Sequence, residues 1–311
     1  MNFVRYNDID SFRSDTFGCL LEFEAQNTLL ITSFKSENQI SRKHFTKIFE
    51  EKGWSNTKEG NELLNMIIAK FWDDPKYILA TVKDTEGSVV LTAASTYSSD
   101  KLVLFETGNR PNCEAVRLLS EGLKEAGFKM TAVVAETGLA QRFAREYGGS
   151  YKKHSTMNIM RLDQVNDLTD APGFCRPLNE NDLHFAPYWH KACMDECQQE
   201  TETISALHLV AQGQIQIGGL RYIWENEGPV SQANISGETP NGALISNVYT
   251  PPYHRKKGYA TSLVAELSRI ILSRGKQFCA LMTDAENAVS CGIYRKIGYY
   301  DICVVDEHRF A

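Results

Sequence analysis

The clearest pattern of hydrophobic and polar positions lies in the second half of the chain. Residues 243–250 and 277–283 are apolar runs of strand length. Between them, apolar residues recur at the spacing of one helix face, at Leu263, Val264, Leu267, Ile270 and Ile271. A second helical pattern covers residues 288–298, and a strand-like run covers residues 301–310. The order predicted is therefore strand, helix, strand, helix, strand, with Gly275 as the residue that follows the long helix.

The first half repeats this order. Residues 101–107 predict a strand, residues 113–127 a helix, residues 129–135 a strand and residues 138–149 a helix. We interpret the repetition as an internal duplication with a period of about 150 residues; chance similarity of two α/β units is the alternative. In this alignment Arg110 takes the place of Gly258, and Ala144 that of Tyr294, so the first half lacks the glycine and the tyrosine of the second half.

A polar stretch from Arg161 to Leu183 separates the halves. It contains Asp, Asn, Pro and Gly, and its first half has little periodicity. We predict a linker with the boundary near residue 170. The domains expected are residues 1–165 and residues 174–311, each of ordinary domain length.

Composition excludes several classes of protein. Of 311 residues, 42% are hydrophobic and 23% charged, as in a globular protein, and the net charge of −6 argues against a nucleic-acid-binding surface. No apolar run approaches the roughly 20 residues that span a bilayer. The N-terminal residues lack the apolar core of a signal peptide, so we expect a cytoplasmic protein without membrane association and with reduced cysteines.

A basic turn, "HRKKGYA" from His254 to Ala260, follows the first of these strands and opens the long helix. A helix N-terminus has unpaired N–H groups and favours anions such as a diphosphate. Gly258 allows close approach, and Arg255, Lys256 and Lys257 add charge. A solvated basic turn is the alternative for this pattern taken alone.

Two motifs together resemble those of the GNAT family of N-acetyltransferases. "RKKGYA", from Arg255 to Ala260, matches the family's Q/R-x-x-G-x-G/A loop, and residues 287–299 match N-x-x-S-x-x-x-Y-x-K-x-G-F/Y. The resemblance covers the second half, and the first half is similar to a degenerate copy. It implies an α/β fold (α+β mixed) of two tandem acyl-CoA N-acyltransferase domains. Each would be a mostly antiparallel mixed sheet flanked by helices, splayed between its fourth and fifth strands.

The resemblance also implies site residues. Acetyl-CoA would pair through its pantetheine arm with Asn247, Val248, Tyr249 and Thr250. The N–H groups of Val248 and Tyr249 would polarise the thioester, and the pyrophosphate would lie on residues 255–261, which include Tyr259, Ala260 and Thr261. Asn287 and Ser290 would lie near the cofactor, and Tyr294 would protonate the CoA thiolate. As alternatives, Asn287 is an ordinary helix N-cap and Tyr294 an ordinary core residue.

The function expected is transfer of an acetyl group from acetyl-CoA to a primary amine, a small molecule or a peptide, by direct attack. A non-catalytic acyl-CoA-binding regulator and transfer of another acyl group remain alternatives. The general base stays open among residues that could line the acceptor side: Glu196, Glu200, Glu202, His208 and Glu225. A zinc site at His190, Cys193 and Cys197 is a further alternative, but a helix face is favoured and no metal is expected. We expect the first half not to bind acetyl-CoA and to help shape the acceptor pocket.

Overall fold

The computed structural model describes residues 1–33, 46, 49–51, 53–71, 78–95, 101–108, 111–197 and 202–311. The strands of the first half are β1 (Asn2–Arg5), β2 (Leu79–Lys83), β3 (Val89–Ser95), β4 (Lys101–Glu106), β5 (Ala132–Glu136) and β6 (Tyr151–Leu162). Its helices are α1 (Ile9–Glu22), α2 (Thr28–Ser33), α3 (Lys58–Phe71), α4 (Cys113–Glu125) and α5 (Thr137–Tyr147).

The second half repeats the order of strands, with two described α-helices in place of three between its first and second strands. Its strands are β7 (Phe174–Pro177), β8 (Arg221–Glu225), β9 (Pro229–Glu238), β10 (Gly242–Tyr249), β11 (Phe278–Asp284) and β12 (Tyr300–Phe310). The helices are α6 (Ala186–Glu196), α7 (Ile204–Ile217), α8 (Tyr259–Ser273) and α9 (Ala288–Ile297). The repeated order expected from the sequence is confirmed, and Gly275 follows α8 with φ +87°.

The twelve strands in the described part of the chain form one sheet, in the order β1-β2-β3-β4-β5-β12-β6-β11-β10-β9-β8-β7. The last strand of each half lies in the other half. β12 pairs with β5, β6 pairs with β11, and β6 and β12 pair with each other, all antiparallel. The two halves therefore complete one another's sheets.

Among the described residues, two neighbouring pairs of strands are parallel and the other pairs are antiparallel. β4 runs beside β5 over Lys101–Val103, and β10 runs beside β11 over Gly242–Leu244. Beyond these residues the register gives no further pairing, and the strands part. Each half thus has a splay at the same place in its sheet.

The expected linker is tied to the second half. Arg161 and Leu162 belong to β6, and residues 163–173 then run to β7. Asn166 donates its backbone N–H to the Ile297 carbonyl at 2.8 Å, and Ala171 donates to Ser262 Oγ at 2.7 Å. The connection therefore lies along α8 and α9, with Ala171 close to Gly258.

Side chains of the first half also contact the second half at two places outside the sheet. Leu209 of α7 packs against a small cluster of Phe49, Trp54, Leu63 and Leu64. The buried carboxylate of Glu24 accepts hydrogen bonds from the backbone and side-chain amides of Asn241, both at 2.7 Å. Since Ala211 of α7 packs in one cluster with Ile223 of β8, the first half supports one wall of the second.

Candidate functional site

Strand β10 is distorted where it leaves β11. Its pairing with β9 shifts register between Ser246 and Tyr249, and Asn247 takes a left-handed φ of 52°. Asn is one of the few residues other than Gly that tolerate this region. The bulge frees Asn247 and Val248 from regular pairing with β9. Thr250 follows and shares a hydrogen bond with Ser231 at 2.9 Å.

The basic turn leads from this bulge to α8. Lys256 has φ 63° and Gly258 has φ 84°, so the turn passes twice through the left-handed region. Gly258 is the N-cap of α8 and supplies no capping side chain. The backbone N–H groups of residues 256–261 find no acceptor among the described residues. The helix therefore offers a row of open donors at its positive end, which suits a phosphate group.

The guanidinium of Arg255 is already hydrogen-bonded within the protein. Its Nη2 donates to both carboxylate oxygens of Glu196, at 2.6 and 2.8 Å, and its Nε donates to the Thr250 carbonyl at 2.8 Å. We call this contact of Arg255 with Glu196 and Thr250 the clasp. It joins the end of α6 to the start of the basic turn, and the role of Arg255 as a cofactor ligand stays a prediction.

Lys256 and Lys257 are exposed, and neither has an ion-pair partner in the described part of the chain. Tyr259, by contrast, is anchored: its ring is buried and its hydroxyl accepts from Asn226 Nδ2 at 2.8 Å. Ala260 and Thr261 are half-buried in the first turn of α8. Anchoring of Tyr259 fixes the direction in which the open N–H groups point.

Tyr294 lies on α9 with its ring in the same buried cluster as Tyr259, and Val248 packs against that cluster. The structure thus brings Tyr294, the β10 bulge and the start of α8 together. Burial raises the pKa of Tyr294 above that of an ordinary phenol, so the hydroxyl stays protonated at neutral pH. No described residue forms a hydrogen bond with it, whereas neighbouring Tyr299 bonds Ser268 at 2.8 Å.

Asn287 has the N-capping role given as an alternative, and its place near the cofactor stays a prediction. It is the N-cap of α9, and its side chain accepts the Ser290 backbone N–H at 3.0 Å. Asn287 is exposed and Ser290 is half-buried. Their hydrogen bond shapes the start of α9, the helix that carries Tyr294.

The face of α6 expected to carry His190, Cys193 and Cys197 turns toward this centre. Cys193 Sγ donates to the Val248 carbonyl at 3.8 Å. His190 Nδ1 accepts from Arg221, a residue 1% exposed, at 2.8 Å. Burial and the Arg221 charge lower the pKa of His190 to about 4. Among the described residues, no group of three His, Cys, Asp or Glu side chains could hold a metal ion.

The candidates for a general base fall into different surroundings. Glu196 is held in the clasp, and Glu225 accepts from Arg176. His208 lies on α7, and Glu202 lies just before it with a partner of its own. Glu200 lies outside the described residues. Two of the five carboxylate or imidazole candidates are thus committed to arginines.

The corresponding end of the first half is occupied by its own side chains. Asn112 caps α4 through Ala115 N at 3.0 Å, and the Glu106 carboxylate accepts the Asn112 N–H at 2.8 Å. Glu106 also accepts from Arg142. Residues 25–30 line the gap where β4 and β5 part, and Ala144, aligned with Tyr294, is buried in the core. Arg110, aligned with Gly258, lies outside the described residues.

Comparison with known proteins agrees with this geometry. Residues 232–310 match the FR47-like protein family model. A GNAT-family acetyltransferase from Colwellia psychrerythraea aligns over 100% of both chains, with a TM-score of 0.57 and 10% identity. A GCN5-related N-acetyltransferase from Sphaerobacter thermophilus aligns over 92% of this chain and 91% of that one, with a TM-score of 0.55 and 14% identity. This chain has the GNAT acetyltransferase fold.

The tandem arrangement of this GNAT fold also has a counterpart. A tandem GNAT protein from the clavulanic acid biosynthesis pathway covers 98% of this chain and 97% of its own, with a TM-score of 0.50 and 13% identity. A search of curated proteins finds no match. The resemblance and the fold class drawn from the sequence are therefore confirmed. No helix among the described residues is long and apolar enough to cross a membrane.

Three contributors to the GNAT-fold site were not found from the sequence. Glu196 was considered only as a base, whereas it forms the clasp, and Asn226 and Ser231 were not singled out at all. Each acts through a contact with a residue far away in the chain. No local sequence pattern predicts such contacts, so they could be identified only from the folded structure.

Proposed function

We propose that this protein is an acetyl-CoA-dependent N-acetyltransferase whose second half carries the reaction. The observation that carries the proposal is the open start of α8, at the splay of β10 and β11 and in one cluster with Tyr294. The diphosphate of acetyl-CoA would lie on the N–H groups of residues 256–261. Lys256 and Lys257 would add charge from the solvent side. The domains 1–165 and 174–311 remain our proposed division of the chain.

The acyl group would lie at the β10 bulge. The bulge of β10 contains the left-handed Asn247, and the N–H groups of Val248 and Tyr249 beside it would donate to the oxyanion formed at the thioester carbon. The amine attacks that carbon, the C–S bond breaks, and the CoA thiolate leaves. Tyr294, neutral because burial raises its pKa, donates a proton to the departing sulfur.

The acceptor would enter between α6, α7 and β10, where the first half supports α7 through Leu63 and Leu64. The acceptor is a primary amine on a small molecule or a peptide. In this arrangement the first half shapes the acceptor wall and binds no acetyl-CoA, since Glu106 and Asn112 already satisfy the start of α4.

Calorimetric titration of acetyl-CoA into wild type and Gly258→Asp tests the cofactor site. A carboxylate at position 258 repels the diphosphate, and we expect at least about a hundredfold loss of affinity. Gly275→Asp is the matched control, because Gly275 has nearly the same φ, 87° against 84°, at the other end of α8.

Tight one-site binding by wild type and Gly275→Asp, lost in Gly258→Asp, supports the proposal. Equal affinity in all three proteins would place acetyl-CoA elsewhere, and two bound equivalents in wild type would contradict the role given to the first half. Turnover with a panel of amines then separates an enzyme from an acyl-CoA-binding regulator, for which no amine would be acetylated.

A further inference from the structure

Helix α6 ends at two cysteines one turn apart. The Cys197 N–H donates to the Cys193 carbonyl at 3.1 Å, so the turn between them is closed and both side chains lie on one face. Cys193 is buried and Cys197 is exposed. The Cys193 thiol donates to the Val248 carbonyl at 3.8 Å, so it faces the bulge of β10. A reagent in solution can therefore reach Cys197 directly, whereas Cys193 is shielded from solvent.

The surroundings favour one thiolate in the pair. The neighbouring Cys193 thiol lowers the pKa of Cys197, against the opposing effects of burial, Glu196 and Asp284. The neighbouring Cys197 thiol and burial raise the pKa of Cys193. Of the two, Cys197 is therefore the one that more readily forms a thiolate, the nucleophilic form of cysteine. The acetyl-transfer steps described above use neither sulfur.

We propose that Cys193 and Cys197 form a modification site for low-molecular-weight disulfides. The Cys197 thiolate attacks one sulfur of the disulfide RSSR, whose S–S bond breaks and releases RS⁻. Cys193 then loses its proton and attacks the Cys197 sulfur, releasing the second RS⁻. The two protein thiols are oxidised to one disulfide, and RSSR is reduced to two molecules of thiol.

This oxidation would act on the cofactor loop through Glu196. A disulfide needs Cβ atoms about 3.8 Å apart, whereas residues four apart on a helix hold theirs about 5–6 Å apart. The last turn of α6 must therefore rearrange, and that turn carries Glu196 into the clasp with Arg255. Oxidation would loosen the clasp and weaken acetyl-CoA binding. This consequence rests on the proposed function, but the thiol chemistry does not.

The modification is tested with oxidised glutathione on the reduced full chain, followed by peptide mass spectrometry. Wild type should lose two hydrogens on the peptide that holds both cysteines. Cys193→Ser should instead keep a glutathione adduct on Cys197, because no second thiol is left to release it. Cys113→Ser, which removes an exposed thiol in the first half, should behave as wild type. A lasting adduct on Cys197 of wild type, or a pair that stays reduced while Cys113 reacts, would overturn the proposal.

The coupling is tested by titrating acetyl-CoA into reduced and oxidised protein. We expect oxidation to weaken binding about fivefold, as loss of one partly exposed ion pair would. Reduced Glu196→Gln should show a similar loss. Equal affinities in the two redox states overturn the coupling. No binding by the reduced protein overturns the proposed function, while the mass measurement decides the modification site by itself.

Discussion

Two buried tyrosines in the second half differ in one respect that bears on catalysis. Tyr294 and Tyr299 lie edge to face, with ring centroids 6.0 Å apart, and both are nearly inaccessible. The Tyr299 hydroxyl bonds Ser268 at 2.8 Å, whereas no described residue bonds the Tyr294 hydroxyl. Removal of the Tyr299 hydroxyl should therefore lower stability, whereas removal of the Tyr294 hydroxyl should lower the rate of the reaction.

Tyr299→Phe loses a buried hydrogen bond and should lower the free energy of unfolding by about 1 kcal/mol. Tyr294→Phe loses no such bond and should change it by less than about 0.5 kcal/mol. If Tyr294 is the general acid, its loss should lower kcat by about a hundredfold or more while KM for acetyl-CoA changes by less than about twofold. Tyr299→Phe should keep kcat near the wild-type value.

The assay is urea unfolding of both variants, together with release of free CoA thiol on the best amine found in a panel. Because burial raises the pKa of Tyr294, the acid form persists at alkaline pH, and this group should cause no fall in kcat as pH rises from 7 to 9. Wild-type kcat in Tyr294→Phe would refute the assignment, and an equal loss in Tyr299→Phe would show that the effect is one of packing.

Three further variants test the supports of the site. Asn226→Ala removes the partner of the Tyr259 hydroxyl and should destabilise the protein by about 1 kcal/mol in urea unfolding; an unchanged midpoint would show that the contact is dispensable. His190 is protonated near pH 6.5 in the unfolded state but only near pH 4 in the folded state. The free energy of unfolding should therefore fall by about 3 kcal/mol as the pH is lowered from 6.5 to 4. His190→Asn should flatten that dependence, and an identical pH profile would contradict the assigned pKa. Glu24→Gln weakens the paired bonds to Asn241 and should lower stability by about 1–2 kcal/mol, which a wild-type unfolding curve would disprove.

The sequence predicted those features of the fold that depend on neighbours in the chain. The apolar face of α8, its end before Gly275 and the glycine turn at its start follow from local periodicity and backbone preference. The same applies to Asn287, where N-capping is a contact within three residues. The repeated order of elements was visible because each element carries its own pattern.

Long-range pairing could not be predicted in the same way. Arg255 belonged to a run of positive charge, and nothing in that run shows that Glu196, 59 residues earlier, holds its guanidinium. The left-handed Asn247 is set by the shifted register against β9, not by its own preference. The exchange of β6 and β12 between the halves could not be predicted either, because the residue pattern of each strand suits both positions in the sheet.

The exchanged strands also bear on how the chain is made. β5 ends at Glu136, and its partner on one side, β12, begins at Tyr300. At about 5–20 residues per second, some ten to thirty seconds of synthesis separate the two. During that interval the first half has its helices and five of its strands but an open sheet edge, the kind of surface that captures other chains. The newborn protein would therefore depend on a chaperone, or on a temporary partner strand, until its second half emerges to close the first.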